Sequence, residues 1–360
     1  MDLEPTDDQA LLLDTSARFV DDRLPIEGVR AFADGVPLDP GYVSAAAELG
    51  WFAMFVDEEL GGGSVSGVPV EDAVLLAQLR GARLQPEPFA ATNTVAAVLA
   101  DTADPAILGD LAAGKATATL AVAGDALWDD GLTAARSGPD LLLTGTAVVD
   151  DPSAAWGLLT AGSHDGPVQV LMPLDAPLPR TALACLDVTR RLTALRFDGV
   201  RVPADALVPD ALERTRTLAT LLSVADSVGA LDRLFGMTRQ YALDRIAFGR
   251  PIGSFQALKH LLADVSLVVE SAKAVLAAAT RAVSADAPYA GEVVSIAAVH
   301  LGERAARAGQ DCLQVHGGIG FAWEHDLHLY LRRITANAAL SGTVDFHRDR
   351  IVAAHSEELT

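Results

Sequence analysis

The sequence predicts an α+β fold in which a β-sheet region separates two helical regions. Three observations support this prediction. Apolar residues recur at helical spacing before residue 116, short alternating runs fill 117–208, and long Ala- and Leu-rich stretches begin at 209. We therefore divide the 360 residues into a helical N-terminal domain (1–116), an antiparallel β-sheet middle domain (117–208) and a C-terminal four-helix bundle (209–360).

The first predicted helix begins at a capping signal. Thr6 stands three residues before Gln9, the spacing at which the two side chains can each bond the other's backbone N–H. Asp7 and Asp8 then place negative charge at the positive end of the helix dipole. The pattern predicts a helix that starts directly after Thr6.

The middle region changes period. Runs such as "ATATLAVAG", "LLLTGTAVV" and "VQVLMPL" are short, rich in alternating or β-branched residues, and bounded by Gly, Pro or Asp. No helical pattern lies between them to supply parallel crossovers. These runs therefore predict an antiparallel sheet or a small barrel.

The last region returns to helical spacing over four long stretches. They are interrupted by glycine-containing turns, which predicts four antiparallel helices packed as a bundle. The stretches are "LERTRTLATLLSVADSVGALDRLFGMTRQYALDRIAFG", "FQALKHLLADVSLVVESAKAVLAAATRAV", "GEVVSIAAVHLGERAARAGQDCLQVHGG" and "DLHLYLRRITANAAL".

Charge and composition limit the class of partner. The formal net charge of −21 repels phosphate backbones, so we expect no nucleic-acid binding, and an anionic ligand would need a local basic patch. No apolar run approaches the ~20 residues that span a bilayer. The acidic N-terminus lacks the basic start of a secretory signal. We expect a cytoplasmic protein without membrane contact. Cys185 and Cys312 form no metal or disulfide pattern, and Cys312 suits a helical core.

The stretch "DRIAFGRPIGSFQALKH" (244–260) interrupts the helical pattern with two glycines and a proline. Arg245 falls at the end of one helix, Phe248 in the turn and Gln256 in the first turn of the next helix. A guanidinium can grip a diphosphate, an aromatic ring can cover adenine or ribose, and an amide can read polar edges. An ordinary αα-hairpin loop explains the spacing equally well.

A second interruption occurs in "QVHGGIGFAWEHDLHLYLRR" (314–333). Gln314 precedes Gly317 and Gly318, and glycine lets a ligand approach the backbone closely. The alternative is a second loop with buried aromatic residues. His316, His325 and His328 are spaced too irregularly to favour a metal site, so we expect no metal.

Together these two segments resemble the acyl-CoA dehydrogenase family, and the order of helical, β and helical-bundle regions agrees over essentially the whole chain. The resemblance implies FAD as cofactor and the removal of two hydrogens from an acyl-CoA thioester. A carboxylate then takes the α-proton while the flavin takes the β-hydride. It also implies that the ADP part of an FAD, whose flavin lies in a neighbouring subunit, is held at positions matching Arg245, Phe248, Gln256, Gln314, Gly317 and Gly318.

The resemblance fails at the catalytic base. The family's usual glutamate position, before a Gly-Thr pair, is occupied by Ser341, and an alternative position on the first bundle helix is occupied by Ala219. A serine without a neighbouring base is far too weakly acidic to serve. Asp226, two helical turns beyond Ala219, is the nearest carboxylate and our candidate base, since burial would raise its pKa. Asp345 and Asp349 are further candidates.

The flavin cradle of the family is also altered. Its first part corresponds to "LAVAGDALWDDG" (120–131), and Val149 and Asp150 stand where an aromatic residue and a hydroxyl are expected. A carboxylate there would oppose the negative charge of a reduced flavin. The chain thus resembles the short subunits of α2β2 heterotetramers in bacterial steroid and lipid breakdown, which imply a homologous partner.

Other functions stay open at this stage. The same fold could serve a flavin-dependent monooxygenase, a non-redox hydratase or an assembly subunit without catalysis. The Ala-rich first bundle helix suggests room for a bulky acyl group such as a sterol side chain. For His347 and Arg348 the alternatives are a place near the mouth of the active site and a solvated face of the last helix, and we expect the solvated face.

Overall fold

The computed structural model describes residues 5–100, 105–121, 131–175 and 177–356, and its elements follow the predicted order of helices, strands and helices. The first region consists of helices. Their bounds are Asp7–Arg23 (α1), Ile26–Ala33 (α2), Gly41–Glu48 (α3), Pro69–Gly81 (α4), Phe89–Leu99 (α5) and Pro105–Ala112 (α6).

The capping signal of α1 is confirmed. The Gln9 backbone N–H donates to Thr6 Oγ1 (3.3 Å), and the Thr6 N–H donates to Gln9 Oε1 (2.9 Å). The Gln9 side chain then donates to Asp72 Oδ1 (2.8 Å) on α4, where Asp72 is fully buried. Gln9 therefore takes part in the cap of α1 and also connects α1 to α4.

The middle region is a sheet. Its strands are Ala118–Leu120 (β1), Leu132–Ser137 (β2), Asp140–Asp150 (β3), Trp156–Ser163 (β4), Gly166–Pro173 (β5), Arg180–Ala182 (β6), Leu192–Pro203 (β7) and Leu207–Val208 (β8). Neighbours run in the order β6-β7-β3-β2-β4-β5-β8, with β1 beside β4. Inward-facing aliphatic residues of β3, β4, β5 and β7 form a separate core.

The sheet differs from the prediction in one respect. Most pairs are antiparallel, but β1 pairs with β4 in parallel, and β2 meets β4 in parallel at Thr133 and Gly162. A parallel pair needs a long crossover, and here the segment between β1 and β4 that contains the β2–β3 hairpin supplies it instead of a helix.

The third region begins with three long helices, Leu212–Asp244 (α7), Gln256–Ser284 (α8) and Ala290–His316 (α9), and continues with Leu327–Leu340 (α10) and Val344–Ser356 (α11). The paired dipeptides Ile246–Ala247 (β9) and Arg250–Pro251 (β10) shape the α7–α8 turn. Cys312 is fully buried in α9, as expected. Within the described ranges, no helix is both long and apolar enough to cross a membrane.

The two helical regions share one hydrophobic core. Residues of α1, α3 and α4 pack in the same cluster as residues of α7 to α10. The contact between α4 and α7 is the tightest point, because a Cβ on Gly229 would lie 1.9 Å from the Gln78 carbonyl oxygen and a Cβ on Gly81 would lie 2.0 Å from the Asp226 carbonyl oxygen. Glycine at both positions lets the two backbones touch.

Candidate active site

The α7–α8 turn presents its side chains to the outside. Arg245 ends α7, and its carbonyl accepts the Ile252 N–H (2.8 Å), which closes the turn. Phe248 has a φ of +53° and is 96% exposed. An aromatic residue rarely adopts a positive φ. Because the Phe248 ring is almost fully exposed, it gains no stabilisation from hydrophobic burial within the chain. Gln256 begins α8 and is also exposed.

The end of α9 forms the second turn. Gly317 follows His316 with a φ of 62° and a ψ of −140°, a region that favours glycine. A Cβ built on Gly317 or on Gly318 would meet no atom within 4 Å, so the bare backbone here borders open space. Gln314 lies one turn earlier and is exposed.

The structure brings these two turns to the same end of the bundle. The Tyr241 ring, one turn before Arg245, stacks on the His316 ring with centroids 4.3 Å apart and planes at 20°. Apolar side chains of both turns are exposed, namely Phe248 of the first turn and Ile319 (50% exposed) and Phe321 (68% exposed) of the second. We call this end of the bundle the nucleotide corner, after the ligand that the family resemblance predicts for it, and define it by Arg245, Phe248, Gln256, Gln314, Gly317 and Gly318.

The histidines near this corner are used in ring packing. His316 meets the edge of His325 at 5.3 Å, while His328 stacks on Trp323 at 4.9 Å instead of joining them. In the part of the chain that the structure covers, no three His, Cys, Asp or Glu side chains are grouped so that they could hold a metal ion.

A pocket at the junction of the three regions collects the residues that the sequence singled out as possible base positions. Ser341 and Ala219 both line it, and so does Asp226. The first helical region adds Glu87 and the sheet adds Asp150. Neither usual base position carries a carboxylate, and the carboxylates that line the pocket are those of Asp226, Glu87 and Asp150.

Asp226 is held by two hydrogen-bond donors. Arg333 Nη1 donates to its Oδ2 (3.1 Å), and Asn337 Nδ2 donates to its Oδ1 (2.7 Å). The side chain is 14% exposed. Both oxygens are therefore engaged in an ion pair and a hydrogen bond at the pocket wall.

The residues suggested near the end of the chain lie apart from this pocket. Asp345 is 86% exposed and pairs with Arg348, and Asp349 is also exposed. The expectation for His347 was wrong, since it is only 2% exposed and its Nε2 bonds the Ser341 carbonyl oxygen (3.0 Å). The α11 helix turns this face inward onto α9, and burial lowers the pKa of His347 to about 4.

Asp150, which stands where the family's flavin cradle has a hydroxyl, forms an ion pair with Arg190. Val149 is fully buried, and Asp150 accepts from Arg190 Nη1 (2.5 Å) and from the Arg191 N–H (3.3 Å). Most of the other predicted cradle segment, residues 122–130, lies outside the described residues. Asp150 thus holds an arginine of its own chain.

Arg190 is a site residue that the sequence reasoning missed. Its Nη2 donates to Asn337 Oδ1 (2.7 Å), and its Nη1 lies 3.6 Å from Glu87 Oε1. Burial opposes its charge, but the carboxylates of Asp150, Glu87 and Asp187 outweigh burial and raise the pKa of Arg190. Burial raises the pKa of Glu87, which Arg190 only partly offsets.

Arg333 was also missed, although it stands in the quoted segment that ends "LYLRR". Its guanidinium is 1% exposed. It donates to Asp187 Oδ2 (2.5 Å) and Thr189 Oγ1 (2.5 Å) from the sheet region, and to the carbonyl oxygens of Gln85 (3.1 Å) and Leu84 (3.3 Å) from the first helical region. With Asp226 on α7, one side chain links all three regions.

The comparisons with known proteins agree with this architecture. The model of the acyl-CoA dehydrogenase N-terminal domain matches residues 6–107, and that of the C-terminal domain matches residues 211–355. Acyl-CoA dehydrogenase IpdE2 of Mycobacterium tuberculosis is 31% identical over 347 residues, 94% of each chain. The crystal structure of the ChsE4–ChsE5 complex from the same organism matches 99% of both chains with a TM-score of 0.88 and 28% identity. The Tcur3481–Tcur3483 steroid ACAD variant matches 98% of both chains with a TM-score of 0.88 and 25% identity.

Proposed function

The chain belongs to the acyl-CoA dehydrogenase family, and we propose that it is a cytoplasmic, FAD-dependent dehydrogenase subunit that works with a homologous partner subunit. The substrate is an acyl-CoA thioester that loses one hydrogen each from its α and β carbons. The observation that supports this division of labour is the contrast between an exposed nucleotide corner and a pocket without a carboxylate at Ser341 or Ala219.

The nucleotide corner suits the ADP part of FAD, and bound FAD supplies the acceptor for the two hydrogens. Arg245 is exposed and has no carboxylate within 4 Å among the described residues, so its guanidinium is available to a diphosphate. The backbone of Gly317 and Gly318 borders open space that a Cβ would enter. Phe248 offers a ring face for adenine or ribose, and Gln256 offers an amide beside it.

The flavin ring itself sits, in this proposal, in the partner. The exposed position of the corner supports this, because a ligand bound only there would remain largely in water. A second subunit that covers Phe248 and Phe321 would bury both rings and enclose the nucleotide. The comparison structures titled as the ChsE4–ChsE5 complex and as a steroid ACAD favour a hetero-oligomer acting on steroid-derived acyl groups.

The base comes from the same partner. Asp226 remains the candidate within this chain, but Arg333 and Asn337 together engage both of its carboxylate oxygens. Asp226→Asn in the assembled complex decides between the two sources. We expect kcat to change by less than about ten-fold, whereas a loss on the order of 10²–10⁴ would assign the base to Asp226.

The corner is tested by co-expression of the chain with a candidate homologous partner subunit. Arg245→Leu should weaken FAD retention about ten-fold or more, measured by flavin absorbance after dialysis, because a charge-assisted contact to the diphosphate is lost. Arg348→Leu, an exposed arginine on α11, is the matched control and should retain FAD. Full FAD occupancy and turnover by the chain alone would overturn the proposal, and product analysis separates dehydrogenation from hydration or oxygenation.

A further inference from the structure

Arg190 spans the pocket from the sheet to the bundle. Its guanidinium donates to Asp150 at the end of β3 (2.5 Å) and to Asn337 on α10 (2.7 Å). Its Nε lies 3.4 Å from Asp187 Oδ2, and the side chain is only 10% exposed. We call this connection, formed by Asp150, Arg190 and Asn337, the Arg190 bridge.

The partners of the bridge are themselves fully engaged. The second oxygen of Asp150 accepts the Arg191 N–H (3.3 Å). The amide nitrogen of Asn337 donates to Asp226 (2.7 Å) and to Ser227 Oγ (3.0 Å). Each group that faces the pocket from β3 and α10 is therefore occupied by a group of the same chain. The Arg190 Nε is the exception, because it is buried and forms no hydrogen bond, although it lies 3.4 Å from Asp187 Oδ2.

We infer that the Arg190 bridge closes this chain's own pocket to a flavin ring. The inference rests on the proposed function and extends it, since it names the residues that keep the flavin in the partner. A ring placed against Asp150 would have to separate it from Arg190 in a buried site. Oxidised isoalloxazine is uncharged, so it cannot replace either ionic partner. The assembled complex should then contain one FAD for every two chains.

The first measurement uses the unmodified complex. Flavin absorbance against total protein should give one FAD per pair of homologous chains, and one FAD per chain would overturn the inference. This outcome is independent of the corner. If Arg245→Leu leaves FAD retention unchanged, the proposed function fails. If Arg245→Leu weakens FAD retention but the complex contains one FAD per chain, only the inference about the Arg190 bridge fails.

The second measurement tests whether removal of the Arg190 bridge lets an isoalloxazine ring bind in the pocket. The double variant Arg190→Ala with Asp150→Ala removes the guanidinium together with its nearest carboxylate, while Asp187 keeps its ion pair with Arg333. Riboflavin, which has the isoalloxazine ring but no adenylate, is titrated into the complex with fluorescence quenching as the readout. We expect no saturable riboflavin binding to the natural complex and saturable binding to the double variant, and equal behaviour of the two would overturn the inference.

A third variant covers the case in which the double variant does not fold. Arg190→Met keeps much of the side-chain volume and removes the charge. The bound flavin should keep its absorption maxima and reduction potential, because in this inference Arg190 does not touch it. A shift in either would show that Arg190 leaves Asp150 to contact a flavin, and the inference would be wrong. Arg191→Met is the matched control, since Arg191 bonds the carbonyl oxygens of Phe32 and Val36 instead.

Discussion

Replacement of Arg333 by methionine tests how strongly one buried guanidinium holds the three regions together. The side chain is 1% exposed and forms ion pairs with Asp187 (0% exposed) and Asp226 (14% exposed). Methionine fills a similar volume but leaves Asp226 without its cation, and it leaves Asp187 with only Arg190, whose Nε lies 3.4 Å away. Breaking a buried pair by removal of one partner costs about 3–5 kcal/mol, so we expect Arg333→Met to lower the unfolding free energy by that amount.

The assay is urea denaturation followed by circular dichroism and by tryptophan fluorescence. Trp51 lies in the first helical region and reports on that region's packing against the bundle. The matched control is Arg348→Met, whose ion pairs with Asp345 and Glu303 are exposed and should leave the midpoint within error.

A second substitution identifies the cause of the loss. Burial alone would raise the pKa of Asp187, but Arg333 and Arg190 outweigh it and the pKa lies below its ordinary value. Asp187→Asn in the Arg333→Met background removes the stranded charge and should recover part of the lost stability. The reasoning is refuted if Arg333→Met unfolds at the same urea concentration as the control, or if Asp187→Asn recovers nothing.

Three further predictions follow from the packing and from the ionisable groups. Gly229→Ala would place a Cβ 1.9 Å from the Gln78 carbonyl oxygen and should cost about 3 kcal/mol of unfolding free energy. Gly236→Ala on the same helix meets nothing within 4 Å and should add about 0.5–1 kcal/mol, and both are measured by denaturation. Burial lowers the pKa of His347 from 6.5 to about 4, so the unfolded chain binds a proton in that window that the folded chain does not. Stability should therefore fall by roughly 3 kcal/mol as the pH drops through it, and His347→Gln should abolish this part of the fall. The free thiol of Cys312 is fully buried and its pKa is raised by burial to about 11, so a thiol reagent should label it only after unfolding, with mass spectrometry as the readout.

Local sequence signals predicted the helices and strands well, and they also marked the two glycine-containing turns. The Thr6–Gln9 cap depends on residues three apart, and the end of α7 at Arg245 and the start of α8 at Gln256 are marked by the glycines between them. The Tyr241–His316 stack that joins the two turns could not be read from the chain, because its members lie on different helices.

The charged network at the pocket was not predicted, for a physical reason. Each of its bonds joins residues far apart in sequence, such as Arg333 to Asp187 and Arg190 to Asn337, and both arginines stand in segments that already fit a strand edge or a helix. A charged side chain is rarely buried without a partner. The presence of Arg333 among the apolar residues of α10 was therefore the available signal for a buried ion pair. His347 was misjudged similarly, since α11 has little apolar periodicity to mark its inner face.

The shared core of α4 and α7 has a consequence for synthesis on the ribosome. Leu76 of α4 packs in the same cluster as Leu221 of α7, and the whole sheet region is made between them. At about 5–20 residues per second, the opening helices wait roughly 7–30 seconds for their packing surface to emerge. During that interval the nascent chain exposes the apolar side of α4, so a chaperone should be found on ribosomes stalled before residue 212 and not on those stalled well after α9.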